Sequence, residues 1–247
     1  MTSNAAAMRP SDAWFRTTHW SVVLTAGRSD TPGAQAALEN LCRIYWRPLY
    51  AYARRRGHSP EDAADLTQEF FRRLLERQSL ADVHPDKGRF RSFLLAAMNH
   101  FLSDAWDKAQ AKKRGAACVI AIDVSELETQ LAGLAGEART PEQAYERQWA
   151  LALLDEVYQR LEREYQEHGK TELFAALRPA LAGSREAQPY SELAQGLGLS
   201  EGMVRVAVHR LRRRYREVLR EVIADSVAHP DEVEDEFRYL LRVLGRG

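Results

Sequence analysis

The residues best suited to chemistry with a ligand are seven arginines between Glu201 and Arg220, which face only two acids, Glu201 and Glu217. A guanidinium has five N–H donors in a fixed fork and cannot be deprotonated, so a crowd of them suits phosphate. At 100° per residue, Val204, Ala207, Val208, Leu211, Tyr215, Val218 and Val222 share one stripe of a helix. Arg205, His209, Arg212, Arg213 and Arg216 gather on the other side. One face is built to bury, the other to meet a polyanion.

A second group is acidic. Glu61, Asp65, Gln68, Glu69, Arg72 and Glu76 fall on one face of a helical pattern, opposite Ala63, Leu66, Phe70 and Leu74. Such a face is either solvated or a dock for a basic partner. A third group, His100, Asp104, Lys108, Lys112, Lys113 and Arg114, makes the end of another helical pattern polar and mostly basic.

The elements that must hold these groups are helical. Tyr190–Gln195 predicts a short helix, Gly196-Leu197-Gly198 a turn, and Ser200 the cap of a second helix with Glu201 in its first turn. A helix-turn-helix needs a small residue where its helices cross, a glycine in the turn and a β-branched plug. Ala194, Gly198 and Val204 meet these needs. Upstream, the spacing predicts a helix over 35–56 with Leu38, Leu41, Cys42, Tyr45, Leu49 and Tyr52 inward. Ser59-Pro60-Glu61-Asp62 then starts a helix to about Arg77, and a third runs over 90–113 with Phe90, Phe93, Leu94, Ala97, Phe101 and Ala105 inward. Gln78–Gly88 is a polar loop between them. Thr140-Pro141-Glu142 opens a helix to about Gln166 with Trp149, Leu153, Val157 and Leu161 inward, and another follows over 171–181.

The fold class is all-α, as two small helical domains. Residues 1–34 form an N-terminal extension with a short helix over Trp14–Ala26, 35–114 a three-helix domain, and 115–140 a linker. Residues 141–225 form the helix-turn-helix domain and 226–247 an acidic C-terminal helix. That last helix, with Val233, Phe237, Leu240 and Leu241 on its apolar side, either caps the second domain's core or lies across the arginine face.

Net charge is zero, so the arginine face reflects placement rather than overall balance. Two cysteines, Cys42 and Cys118, make no disulfide framework and no zinc spacing. No apolar run approaches the roughly 20 residues that cross a bilayer, and the N-terminus lacks a signal-peptide layout. Neither a nucleotide-binding nor a catalytic-triad motif is present. The expectation is therefore a cytoplasmic protein without cofactor, metal site, membrane contact or enzymatic activity.

In this order the two modules resemble a bacterial RNA polymerase sigma factor of the extracytoplasmic-function (ECF) subfamily of the sigma-70 type, over about 35–114 and 141–223. Asp65-Leu66-Thr67-Gln68-Glu69-Phe70-Phe71 is similar to that family's docking stretch. The resemblance implies that Asp65, Gln68, Glu69 and Arg72 contact core RNA polymerase at the β′ clamp helices, with the β flap as a second contact. It also implies that Gln78–Gly88 receives a flipped base and that Phe90–Arg114 opens minus-10 promoter DNA through Asn99, His100, Asp104, Lys108, Lys112, Lys113 and Arg114. The helix-turn-helix then reads the minus-35 element. Arg205 and His209 face the groove, Ser200, Glu201 and Gly202 stand at the entering end, and Arg210, Arg212, Arg213 and Arg216 meet phosphates. Ala207 stands where the family usually has arginine, so its base preference does not carry over. An anti-sigma factor is a further partner the resemblance admits. The alternative is a free-standing helix-turn-helix regulator with an N-terminal sensing or dimerisation module.

Overall fold

The computed structural model describes residues 32–76, 89–109, 128–129, 140–181, 189–227 and 229–245, with side chains described from residue 41 and not for 75–76 or 105–109. The N-terminal helix expected over 14–26, the loop 78–88 and nearly all of the linker lie outside these residues. The described residues are helical, without a strand: α1 (Pro32–Arg55), α2 (Pro60–Glu76), α3 (Phe90–Ala109), α4 (Pro141–Glu167), α5 (Thr171–Leu177), α6 (Tyr190–Leu197), α7 (Glu201–Ser226) and α8 (Val233–Leu244). Short 3₁₀ turns, Arg178–Leu181 and Pro230–Glu232, follow α5 and precede α8.

Two compact units are present. One draws on Met1–Ala152 and Ile223–Gly247, the other is Leu153–Val222.

The first unit is built round α1. Leu41, Ile44, Tyr45, Trp46, Leu49, Tyr50, Ala51, Tyr52 and Ala53 are all buried, a wider band than one stripe, while Arg43 is exposed and Arg47 and Arg54 are half-buried on the remaining face. Trp46 belongs to this core and stacks on Phe71, centroids 6.0 Å apart. The start of α2 follows from its sequence: Pro60 is its first residue, and the Asp62 N–H donates to Ser59 Oγ at 3.1 Å. Its inward face comprises Ala63, Thr67, Phe70, Phe71 and Leu74, while Leu66 is half-buried. Thr67 enters the core because its hydroxyl donates to the Ala63 carbonyl at 2.7 Å, which leaves only its methyl to pack. On α3 the buried apolar positions are Phe90, Leu94, Met98, Phe101 and Leu102, with Phe93 and Ala97 half-buried, and Arg91 is buried among them.

The C-terminal helix α8 packs in this first unit, where it meets Arg89 and Arg91 at the start of α3 and Glu146 and Trp149 of α4. Its buried residues are Glu236, Leu240 and Val243, and Leu241 is exposed. The stripe is rotated from the expected apolar one because Glu236 has two cations to meet. Arg91 Nε donates to Glu236 Oε1 at 2.6 Å, and Arg89 Nε lies 2.9 Å from Oε2. The Arg91 guanidinium lies over the Tyr239 ring, 3.9 Å from its centroid, and 4.9 Å from that of Trp149. Tyr145 Oη closes the arrangement by donating to the Arg91 carbonyl at 2.8 Å, and Tyr239 hydrogen-bonds Glu146. Burial works against the Arg91 charge, and Glu236 more than offsets it, so the guanidinium sits above its ordinary range.

In the second unit, Leu153, Val157 and Leu161 of α4 are buried with Phe174, Leu177, Leu193, Ala194, Val204, Val208, Leu211 and Val218. Arg214 of α7 binds Glu164 of α4 in a two-pronged pair at 2.9 and 2.7 Å. That pair holds the Glu164 carboxyl below its ordinary range.

Candidate nucleic-acid interface

The helix-turn-helix is assembled as its residue types require. The α6 helix ends at Gly198, whose φ of +63° is the left-handed conformation that glycine adopts without strain. The Leu199 N–H returns to the Ala194 carbonyl at 3.0 Å, closing the turn. Ser200 caps α7 by accepting from the Met203 N–H at 3.2 Å. Ala194 and the plug Val204 are both buried.

This geometry leaves Ser200, Glu201, Gly202, Arg205, His209, Arg210, Arg212, Arg213 and Arg216 all exposed. They differ in what holds them. Arg205 pairs with Glu201 at 2.6 Å, and Arg213 with Glu217 at 3.4 Å. Arg212 donates through Nη2 to the Ala180 carbonyl at 2.8 Å and through Nε at 3.3 Å, so part of its fork fastens α7 to the 3₁₀ turn. Three of its five donors remain for another acceptor. Arg214, inside the same basic run, serves the ion pair with Glu164 and two further carboxylates, Glu217 and Glu221. The run thus divides between structural and outward arginines, a division that residue type alone does not reveal.

Two residues absent from the sequence-based site share the outward face: Met203 and Val206, 56% and 50% exposed. Their angular positions, away from the Val204 stripe, were available in the sequence as a signal. They border an open groove with Tyr165, Leu173 and Leu199 along its wall.

In the first unit, Asp65 is exposed, and Gln68, Glu69 and Arg72 are half-buried on the outward side of α2. Glu69 is clamped by its own helix. Arg72 approaches it at 2.6 and 2.7 Å and Arg73 at 2.6 Å, and the Arg72 hydrogen bond leads in holding its carboxyl below the ordinary range. On α3, Asn99, His100 and Asp104 are exposed on the surface. Asn99 Oδ1 accepts from Tyr52 Oη and Arg56 Nη1, each at 3.2 Å, which ties α3 to the end of α1. The side chain of Lys108, and Lys112, Lys113 and Arg114 altogether, lie outside the described residues.

The helices that carry Asp65 and Asn99 also lie where part of the chain matches a family model. Residues 41–112 match the family model of sigma-70 region 2. That match covers less than a third of the chain. No curated protein and no solved structure matches the chain. The region 2 match spans most of α1, all of α2 and all of α3. Among the described residues no group of His, Cys, Asp and Glu could hold a metal ion, and no helix is long and apolar enough to cross a membrane.

The linker contributes one described side chain of consequence. Glu128 accepts from Tyr50 Oη at 2.5 Å and from Arg54 Nε and Nη2 at 2.8 and 2.9 Å. The Arg54 hydrogen bond leads in lowering the Glu128 carboxyl below its ordinary range.

Proposed function

We propose that the protein is a compact sigma factor of the ECF subfamily, working in the cytoplasm as a dissociable subunit of RNA polymerase. Asp65, Gln68, Glu69 and Arg72 dock on the β′ clamp helices, and α3 with the loop before it captures and opens minus-10 DNA. The helix-turn-helix of α6 and α7 grips the minus-35 element, with the β flap as a second polymerase contact. An anti-sigma factor is a further candidate partner. The single observation that carries this reading is the region 2 match, because it coincides with helices whose acid-and-amide face points outward while Phe70 and Phe71 fill the core. An outward stripe of carboxylate and amide is complementary to a basic partner surface and gives specificity and orientation.

The test is promoter-dependent transcription by cognate core polymerase with and without the full chain. Specific initiation is expected only with it, and its absence together with failure to co-purify with core overturns the reading. Sequence-specific DNA binding that needs no polymerase would favour the free-standing regulator instead. Asp65→Ala with Gln68→Ala should weaken core binding while the variant keeps the helical content and unfolding midpoint of the parent, since neither side chain is in the core. Core binding equal to the parent's would remove these residues from the docking face.

A further inference from the structure

The outward face of α7 carries two apolar side chains that the fold does not bury. Met203 and Val206 are 56% and 50% exposed and stand one turn apart. Single exposed apolar residues are ordinary on any surface. Two on successive turns of one helix, bordering a groove lined by Leu173 and Leu199, form a patch instead. At 100° per residue Val206 lies about 200° from the buried plug Val204, at the crest of the helix, and Met203 flanks it. Gly202 adds no side chain to that crest, and a Cβ built there would meet only Ser200 Oγ at 3.9 Å. Arg205, His209, Arg210, Arg213 and Arg216 frame the patch, all exposed.

A small apolar crest inside a basic frame has a chemical counterpart. The floor of a DNA major groove offers polar donors and acceptors at every base pair except for one apolar group, the 5-methyl of thymine, and phosphates wall the groove on either side. An acidic protein partner would satisfy the arginines and leave the crest without a match. We propose that Val206, with Met203 beside it, reads thymine in the upstream promoter element through contact with the 5-methyl group. Arg210, Arg213 and Arg216 around them hold phosphates and set the depth of approach. This inference rests on the reading of α6 and α7 as a duplex-binding helix-turn-helix.

The test uses the full chain with cognate core polymerase and a pool of duplexes randomised over the upstream element. Thymine should be recovered at one or two positions. At those positions each thymine is then replaced by deoxyuridine, which pairs identically and lacks only the methyl. Binding should weaken about fourfold per methyl, the change expected for one buried methyl group, and in Val206→Ala or Met203→Ala that penalty should vanish. Both residues are exposed, so helicity and unfolding midpoint should match the parent. Selected sequences that tolerate deoxyuridine everywhere, or a penalty that persists in both variants, overturn the proposal and leave the helix-turn-helix reading standing. Recovery of no sequence beyond the core-only control, without salt-dependent retention of any duplex, overturns both.

Discussion

Removal of the Glu236 carboxylate should be among the most destabilising single changes in the chain. Glu236 is 1% exposed, and Arg91, its closest partner, is 7% exposed. In Glu236→Ala, Arg89 can turn to solvent, since its side chain is 31% exposed, but Arg91 cannot. Its Nε and Nη2 donors lose their acceptor in a site walled by Tyr239, Trp149 and Tyr145. Stranding one charge of a buried pair costs about 3–5 kcal/mol, against a total domain stability of about 5–15 kcal/mol. Glu236→Gln keeps one acceptor oxygen and should lose less. Replacing both partners, Arg91→Met with Glu236→Leu, should be milder than Glu236→Ala, because no charge is then left without solvent or partner. Urea unfolding of the full chain measures the magnitude, and amide hydrogen exchange locates it. Protection should fall over residues 90–104 and 141–149 and persist over 190–216. A loss below about 1 kcal/mol for Glu236→Ala, or protection lost over 190–216 alone, would refute the assignment of α8 to the first unit.

Other expectations concern single positions. Gly198→Ala places a side chain at φ +63° with nothing within 4 Å, so its cost is backbone strain alone, about 1 kcal/mol. Gly196→Ala, inside α6 with equally open space and no positive φ, should instead stabilise the second unit, and thermal unfolding of the two variants should move in opposite directions. Burial, with Tyr158 adding to it, pushes the Tyr215 phenol up to about 12 from 10.0. The neutral ring is thus favoured by folding: its contribution is whole below pH 10 and is lost as pH rises towards 12, so Tyr215→Phe should unfold less readily than the parent across that window. Glu128 behaves with the opposite sign. Its carboxyl is lowered by Arg54, so its contribution is present above the ordinary carboxylate range and is lost as pH falls through the lowered value. Glu128→Gln should flatten that acid-side loss, measured as exchange protection at 128–129 against pH.

By itself the sequence determined the all-α class, the helix starts at Ser59-Pro60 and Thr140-Pro141, and the turn at Gly198. Each rests on local rules: a cap oxygen, a proline with no N–H to lose, a glycine where φ turns positive. It also determined which types of group could face a polyanion or a basic partner, since helical period sorts those without a fold. Tertiary structure decided where shared partners lie. Nothing within the run Arg212-Arg213-Arg214 distinguishes the residue that reaches Ala180 or Glu164 from the one that faces outward, because those partners are 32 and 50 positions away in the chain. Likewise Glu236 reads as one acid among several on a polar face. Only the arrival of Arg89 and Arg91, from 145 or more positions upstream, turns its helix so that a carboxylate is buried in place of Leu241. A buried charge is stable only against a partner, and a partner so distant in sequence leaves no periodic trace.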